Sequence, residues 1–248
     1  MIIESVNRAL DTLTYLAEHQ LVGVRELARY LGVNEATAFR ILNTLEKKLF
    51  VYQEPQTKKY RLGIEVLRLA KGFSLGQDLT KIAKPHLIAL NKITNETVCL
   101  LIRQEGYGMY IDKIESDHTL IVRAEIGQKT PIFIGGASKA IFAFLPEEEQ
   151  TRLLNEYGHL LEDYNIDKNN LLREYQVIRE HGYATSFEEM DPGVIAVGCP
   201  IFDYSDTVVA SVSIPLPRHR VTEENLQNLI NQVQECSRQI SRDLGYRG

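Results

Sequence analysis

Side chains of the kinds that read DNA bases lie close together in residues 35–49. Arg40 and Asn43 are about one helical turn apart, and in the major groove arginine can pair with guanine and asparagine with adenine. A helix over these residues would carry the hydroxyl groups of Thr37 and Thr44 on the same side. We therefore expect Arg40 and Asn43 to contact bases or the groove next to them, with Thr37 and Thr44 beside them.

Cations flank this stretch on both sides. Arg25 precedes it at the start of another helical segment, and Lys58, Lys59 and Arg61 follow it. Cations at such places hold phosphates and set the register of a protein on DNA rather than its sequence preference. The same residues also fit a solvated helix face and a charged hairpin, and winged-helix modules can contact proteins instead, so these alternatives stay open on the residues alone.

The segments that would position these side chains have the pattern of a winged helix-turn-helix domain. Apolar residues recur at helical spacing in 4–18, 24–31 and 35–49, and Gly32 and Asn34 suit a helix end and an N-cap. Residues 50–63 alternate around a polar tip and predict a β-hairpin, or wing, before a linker helix over 64–75. The residues predicted to face the core are Val6, Leu10, Leu13 and Ala17 in the first helix and Ala38, Ile41, Leu42, Leu45 and Leu49 in the third.

The rest of the chain has the pattern of an α+β domain. Runs rich in β-branched residues predict strands of a mostly antiparallel sheet, at 97–103, 107–114, 119–126, 194–203 and 207–214. Helical spacing predicts flanking helices at 79–94, 137–145, 171–181 and 222–244, with one more opened by Pro146. Pro85 predicts a kink or a restart within the first of these helices.

Composition narrows the class of protein. A chain of 248 residues with 44% hydrophobic and 25% charged residues fits two ordinary globular domains. Its apolar runs are far shorter than the roughly 20 residues of a membrane span, and its first residues lack the pattern of a secretory signal. We expect a cytoplasmic protein with no membrane partner. Cys99, Cys199 and Cys236 are widely spaced, which argues against disulfides and a zinc site, and no cofactor is expected.

The net charge of −5 is unevenly distributed along the chain. Residues 1–72 carry 11 Lys and Arg against 8 Asp and Glu, a balance of +3, and the remaining 17 against 25 give −8. Because affinity for DNA depends mainly on neutralised phosphates, the first segment is the better candidate for DNA contact. A balance of only +3 predicts weak attraction per monomer and favours binding as an oligomer.

Gly135 and Gly136 precede an apolar helical segment and raise the question of a ligand site. Glycine lets the backbone approach a ligand closely, and the N–H groups at a helix start attract anions such as a carboxylate. A plain loop turn explains the same pair equally well, so spacing alone leaves both possibilities open.

The order of motifs along nearly the whole chain resembles the bacterial IclR-type transcription regulators. In the first domain the resemblance rests on residues 8–13, 26–29, 32–33, 37–46 and 60–63, and in the second on 110–116, 139–146, 179–184, 188–189, 192–194 and 211–213. It implies a GAF-like sensor fold, operator DNA as a partner, homodimers or homotetramers, and control by a small organic ligand. Glu35 and Ala36 depart from the basic residue and serine that the family often has there, so the operator sequence does not carry over.

The resemblance also implies positions for an effector pocket. Backbone groups near Gly136 and Ala137 would hold a carboxylate, and the other family positions map onto Ser186, Val194, Ala196, Ser213 and Pro215. Relatives that sense small keto acids have more polar groups there, so this chain is expected to take a larger or more apolar acid, because an unpaired polar ligand group costs roughly 1 to 3 kcal/mol. Met109, Leu120 and Ile134 are further candidates for the lining, although apolar strand residues are more often core.

These observations predict three parts: a winged helix-turn-helix domain over 1–62, a linker helix over 63–77, and an effector-binding and oligomerisation domain over 78–248. The function that fits them is sequence-specific DNA binding controlled by a keto acid, sugar acid or aromatic acid. A winged-helix module for protein interaction is the alternative. A hydrolase using Cys199 is a weaker one, since the sequence has no recognisable catalytic motif.

Overall fold

The computed structural model describes residues 2–70, 75–164 and 166–248. The chain divides into two compact units, Met1–Leu75 and Gly76–Gly248. In the predicted linker, helix α4 spans Glu65–Ala70, while residues 71–74 of that prediction lie outside the described residues.

The first unit is a winged helix-turn-helix. It consists of α1 (Glu4–Glu18), α2 (Val24–Tyr30), α3 (Glu35–Lys47), β1 (Val51–Gln53) and β2 (Tyr60–Leu62), followed by α4. The Asn34 side chain accepts a 2.8 Å hydrogen bond from the backbone N–H of Thr37 and caps α3 as predicted. The wing strands pair antiparallel, and Val22 forms a bridge to Tyr60 that ties the wing to the helices.

Of the stripe predicted for α1, only Leu13 packs against the core of this unit, where it is partly buried. Thr12 and Leu16 are the buried residues of α1, whereas Val6 and Leu10 of the predicted stripe are 52% and 59% exposed. In α3, Ala38 and Leu42 are buried as predicted. The predicted inward position of Leu49 is wrong: α3 ends at Lys47, and Leu49 is exposed in a left-handed turn with φ 61°.

The second unit is a six-stranded antiparallel sheet with helices on both faces. Its strands are β3 (Val98–Gln104), β4 (Tyr107–Ile114), β5 (Lys129–Pro131), β6 (Ala184–Phe187), β7 (Val194–Phe202) and β8 (Val208–Pro217), in the spatial order β5-β4-β3-β8-β7-β6. Its helices are α5 (Leu75–Thr94), α6 (Gly136–Phe142), α7 (Glu147–Tyr157), α8 (Lys168–His181) and α9 (Glu223–Asp243), with 3-10 helices at Gly158–Tyr164 and Arg218–Arg220.

Apolar side chains from alternate positions of the strands fill two cores, one on each face of the sheet. Helices α5 and α9 cover one face, with residues such as Leu87 and Val233 packed on Val212. Helices α6, α7 and α8 cover the other, where Phe142 packs among Leu153 and Ile178. The fold is therefore the predicted α+β domain with a flanked antiparallel sheet.

Three sequence predictions for this unit are corrected. Residues 119–126 form irregular backbone rather than a strand. Ala124 is the one buried residue among them, so the apolar side chains that predicted the strand are not packed in the sheet. The short strands β5 and β6 were missed because three or four residues give too little alternation to detect. Helix α5 runs from Leu75 through Pro85 to Thr94, so of the predicted kink or restart the restart is wrong.

No helix in the described parts of the chain has both the length and the apolarity to cross a membrane.

Candidate nucleic-acid interface and ligand cavity

The exposed face of α3 carries the predicted base-reading pair. Arg40 and Asn43 are both exposed, and neither side chain has a hydrogen-bond or ionic partner within the described residues. Thr44 is exposed too, but its hydroxyl donates a 2.8 Å bond to the carbonyl of Arg40. Thr37 is half-buried at the first turn of the helix. The Arg40 guanidinium and the Asn43 amide are therefore available for hydrogen bonds to a ligand.

Arg25 is held at the start of α3. Its guanidinium lies 3.2 Å from the carboxylate of Glu35, and the Arg25 side chain is 85% exposed. An exposed ion pair of this kind contributes at most about 1 kcal/mol, so a phosphate can replace Glu35 as the partner of Arg25. Glu35 thus lowers, without abolishing, the attraction of this corner for phosphate.

The wing presents two unpaired lysines and one paired arginine. Lys58 and Lys59 are exposed, and their ammonium groups have no acceptor among the described residues. Arg61 donates a 2.8 Å bond to Glu54 and lies 4.6 Å from the centre of the Tyr52 ring. The lysines fit the predicted phosphate contacts better than Arg61, which is already engaged on both sides.

A small cavity in the second unit lies among β4, α6 and the ends of β6, β7 and β8. It measures about 50 Å³. Predicted effector residues that line it are Gly135, Gly136, Ala137, Ser186, Val194 and Ala196, together with Ile134 and Pro215. Leu120 lines an adjoining, more open hollow of about 670 Å³. The two spaces share Val122, Arg123, Gln128, Asp191 and Val194 as lining residues. The structure thus brings most of the predicted set together.

Besides Leu120, two more predicted residues lie outside the cavity, Met109 and Ser213. Tyr110 lines it, and because successive strand residues face opposite sides, Met109 points away from it. Ser213 is on the same face of β8 as Pro215 but is only 1% exposed, and its hydroxyl has no hydrogen-bond partner among the described residues. An unpaired buried hydroxyl costs about 1 to 3 kcal/mol, so Ser213 is a group that a bound molecule could satisfy.

The two glycines at the start of α6 have structural reasons of their own. Gly135 has φ 79°, a conformation that other residues rarely adopt. A Cβ on Gly136 would lie 2.9 Å from the carbonyl oxygen of Ala196, so the bare backbone allows α6 to pack on β7. The close approach at Gly136 is to the protein's own strand, which accounts for the pair without a ligand.

The anion at this loop is supplied by the protein itself. One oxygen of the Glu189 carboxylate accepts a 2.9 Å bond from the N–H of Gly135, and the other lies 2.5 Å from the ammonium of Lys139. Lys139 is only 1% exposed and also bonds the carboxylate of Glu174. Glu189 also lines the cavity. The sequence signal for this cluster was a lysine in an otherwise apolar helix, but its partners are 35 and 50 residues away.

Two buried groups of this unit, the Tyr110 phenol in the cavity lining and the Cys199 thiol outside it, are weakly reactive. Burial raises the pKa of the Tyr110 phenol, so it stays neutral near pH 7. Burial likewise raises the pKa of the Cys199 thiol, which is fully buried in β7, and the thiolate needed for nucleophilic attack is disfavoured. Within residues 2–70, 75–164 and 166–248 no group of three or more His, Cys, Asp or Glu side chains is arranged to hold a metal ion.

Two protein-family models match the chain, one on each unit. The model described as the IclR helix-turn-helix domain matches residues 5–55, and the model of the IclR C-terminal region of bacterial transcriptional regulators matches residues 74–242. The second match alone covers more than half of the chain.

Similar proteins and structures extend over both units. The HTH-type transcriptional regulator XynR of Escherichia coli is 30% identical over 99% of this chain and 98% of its own length. The regulator KdgR of the same species is 29% identical over 98% and 94%. The crystal structure of Pseudomonas aeruginosa HmgR superposes with a TM-score of 0.79 and 26% identity, covering 99% of this chain and all of that one.

Proposed function

This chain belongs to the IclR family of bacterial transcriptional regulators, and we propose that it reads an operator through α3 and the wing while a small organic acid in the second unit controls its affinity. DNA-binding regulation of transcription is the activity of the family. The observation that carries the proposal for operator reading is the exposed Arg40 and Asn43 pair, which has no partner in the described protein.

The DNA contacts divide into bases and phosphates. Arg40 and Asn43 reach base edges, where each good bidentate pair discriminates by about 1 to 3 kcal/mol. Phosphates are held by Lys58 and Lys59 on the wing and by Arg25 before α3. Secondary contacts at the edge of the interface come from Arg61, Thr37 and Thr44. Binding to chromosomal DNA places the protein in the cytoplasm.

An exposed apolar surface of the first unit supports assembly as a homodimer or homotetramer. The stripe of α1 with Val6 and Leu10 is exposed, and it lines an apolar groove of about 720 Å³ together with Ile41, Phe50 and Leu69. Exposed apolar patches of this kind mark contact surfaces. Thr37, Arg40 and Thr44 line the same groove, so a second copy would cover only its α1 side and leave Arg40 free. The pair would then set two α3 helices on successive major grooves, about 34 Å apart.

The effector is a small organic acid, of the keto-acid, sugar-acid or aromatic-acid class. Ligand pockets usually measure about 300 to 1,000 Å³, so the cavity of about 50 Å³ must open towards the adjoining hollow before it can admit one. The acid's carboxylate would compete with Glu189 for the N–H of Gly135 and for Lys139. The unpaired hydroxyl of Ser213, on the same face of β8 as the lining residue Pro215, would be a further hydrogen-bonding group.

Control of transcription then requires the two sites to be coupled. If the acid changes operator affinity by a factor, operator DNA must change the affinity for the acid by the same factor. Titration of each ligand in the presence of the other measures both factors, and unequal factors at equilibrium would rule out two-site linkage.

Operator binding is tested by retention of genomic fragments. The wild-type chain is expected to retain specific fragments, and Arg40→Ala should weaken their binding about 5-fold to 150-fold. Arg247→Ala, which removes an exposed arginine at the other end of the chain, is the charge-matched control and should change binding little. A wild-type chain that retains no specific fragment at low salt would support the alternative, a protein-interaction module.

The effector class is tested by thermal unfolding with pyruvate, gluconate and benzoate as probes of the three kinds of acid. A probe that binds the folded second unit raises its unfolding temperature, and the stabilisation grows with the logarithm of one plus the probe concentration over Kd. Ala196→Leu, which fills the cavity, should abolish the increase. An unchanged increase in that variant would place the acid elsewhere.

A further inference from the structure

An aromatic side chain projects from the exposed face of α3. Phe39 is 46% exposed and does not belong to the apolar cluster of the first unit. Ala36, one turn earlier, is exposed as well. Residues three and four apart lie next to each other on a helix, so Ala36 and Phe39 form an apolar patch that borders Arg40 and Asn43.

The setting of this patch restricts what can cover it. Phe39 is not among the buried or partly buried residues of the apolar cluster, and it lies outside the apolar groove assigned to a second copy. Its neighbours are the polar groups that face the DNA. The covering partner must therefore offer an apolar group beside groups that hydrogen-bond to arginine and asparagine.

The major groove of DNA offers one apolar group, the C5 methyl of thymine. We propose that Phe39, assisted by Ala36, contacts thymine methyls next to the bases that Arg40 and Asn43 read. This assignment rests on the proposed operator binding by α3. It adds a specificity-determining residue that makes no hydrogen bond, and it gives a reason for Ala36: a small methyl side chain lets the helix approach the groove closely.

Uracil substitution isolates this contact, because deoxyuridine pairs as thymidine does and lacks only the C5 methyl. A binding site is first selected from random double-stranded DNA with the full chain. Each thymine of the site is then replaced by uracil, one at a time, and Kd is measured at fixed salt for wild type, Phe39→Leu, Phe39→Ala and Leu21→Ala. Leu21 is an exposed apolar residue of the same unit outside α3 and serves as the control.

One or two uracils in each half-site should weaken wild-type binding about fourfold each, the value of one buried methyl group. Phe39→Ala should bind the thymine site more weakly and show no further loss with those uracils, Phe39→Leu should lie between, and Leu21→Ala should respond as wild type does. Because Phe39 is exposed, these variants should keep the wild-type helix content.

Several results would overturn the assignment. Wild-type binding that is unchanged by uracil at every position would show that no methyl is read. An equal loss of affinity with uracil in wild type and in Phe39→Ala would assign the effect to DNA shape or to another residue. If Phe39→Ala bound DNA as wild type does but no longer bound a protein that wild type binds, the patch would be a protein contact. Failure to select any site would instead refute operator binding itself, and the two failures are thereby distinguished.

Discussion

The two units of this chain hold their functional groups in opposite ways. On α3 of the first unit, Arg40 and Asn43 project into solvent with no partner in the described protein. In the second unit, three charged residues line the cavity, Arg123, Glu189 and Asp191, and Glu189 is already bonded to Lys139 and to the N–H of Gly135. One site is ready for its ligand, and the other must exchange internal bonds for external ones.

This difference has an energetic reason. A DNA contact forms at the surface and gains strength from the summed charge of many phosphates, so unpaired side chains there cost little while unbound. A buried charge without a partner is expensive, so a sensor that stands empty part of the time needs an internal partner for each charged group. The second unit, proposed as the sensing unit, should therefore lose stability when that partner is removed, whereas the exposed face of α3 should lose only affinity.

The largest loss of stability is expected for Lys139→Met. It leaves the carboxylates of Glu174 and Glu189 next to a buried apolar side chain, and removing one partner of a buried ion pair typically costs about 3 to 5 kcal/mol. We expect a loss near the lower limit, because both carboxylates are partly exposed. Local amide hydrogen exchange measures the effect in each unit separately.

The control for this variant is Lys92→Met, on the exposed side of α5, which should change stability by less than about 0.5 kcal/mol. Exchange in α1 to α3 should stay as in wild type for both variants. If Lys139→Met were no more harmful than Lys92→Met, the buried cluster would have no part in holding the sensing unit together.

A smaller loss is expected for Gly136→Ala. The new Cβ would stand 2.9 Å from the carbonyl oxygen of Ala196, a backbone atom of β7, and overpacking of this kind costs about 1 to 3 kcal/mol. Gly158→Ala is the matched control, since nothing lies within 4 Å of its Cβ and its φ of −63° suits any residue. Urea unfolding followed by circular dichroism compares the two, and equal midpoints would remove the structural reason for Gly136.

The same contrast determines how much could be predicted from the sequence. Helical spacing was enough to predict α3 and its exposed polar face, because both depend on residues within four positions of one another. The Glu189 to Lys139 pair and the short strand β6 depend on contacts between distant segments, for which local spacing carries no signal. The predicted stripe of α1 shows a further limit: the pattern correctly indicated an apolar face, but not that a single chain leaves it exposed.

Two asparagines of the first unit divide stability from recognition. Asn34→Ala removes the cap of α3 and should cost about 1 kcal/mol, whereas Asn43, which has no partner in the described protein, should tolerate alanine with a change below about 0.5 kcal/mol. Operator affinity should show a specific loss for Asn43→Ala at one base position. Thermal unfolding and Kd are measured on both variants, and a stability loss for Asn43→Ala as large as that for Asn34→Ala would contradict the assignment of Asn43 to DNA.

The smallest change in stability is expected for an ion-pair cluster at the surface of the second unit. Glu149 on α7 accepts bonds from Arg103 and Arg152 at 2.9 Å and 3.0 Å. The Arg152 bond, assisted by Arg103, lowers the pKa of this carboxyl from 4.5 to about 2. A carboxyl with a lowered pKa contributes stability above its unfolded-state pKa, and this contribution is lost as the pH falls from about 4.5 to about 2.

Glu149→Gln should therefore lower the unfolding temperature slightly at pH 7, by a free energy below about 1 kcal/mol, because the pair is partly exposed and screened by solvent. The difference from wild type should shrink between pH 4.5 and pH 2 and should also shrink at high salt. Glu115→Gln, at an exposed pair with Lys113, is the control. A Glu149 effect that persisted unchanged at pH 2 would mean that packing of the side chain, and not its charge, stabilises α7 against the sheet.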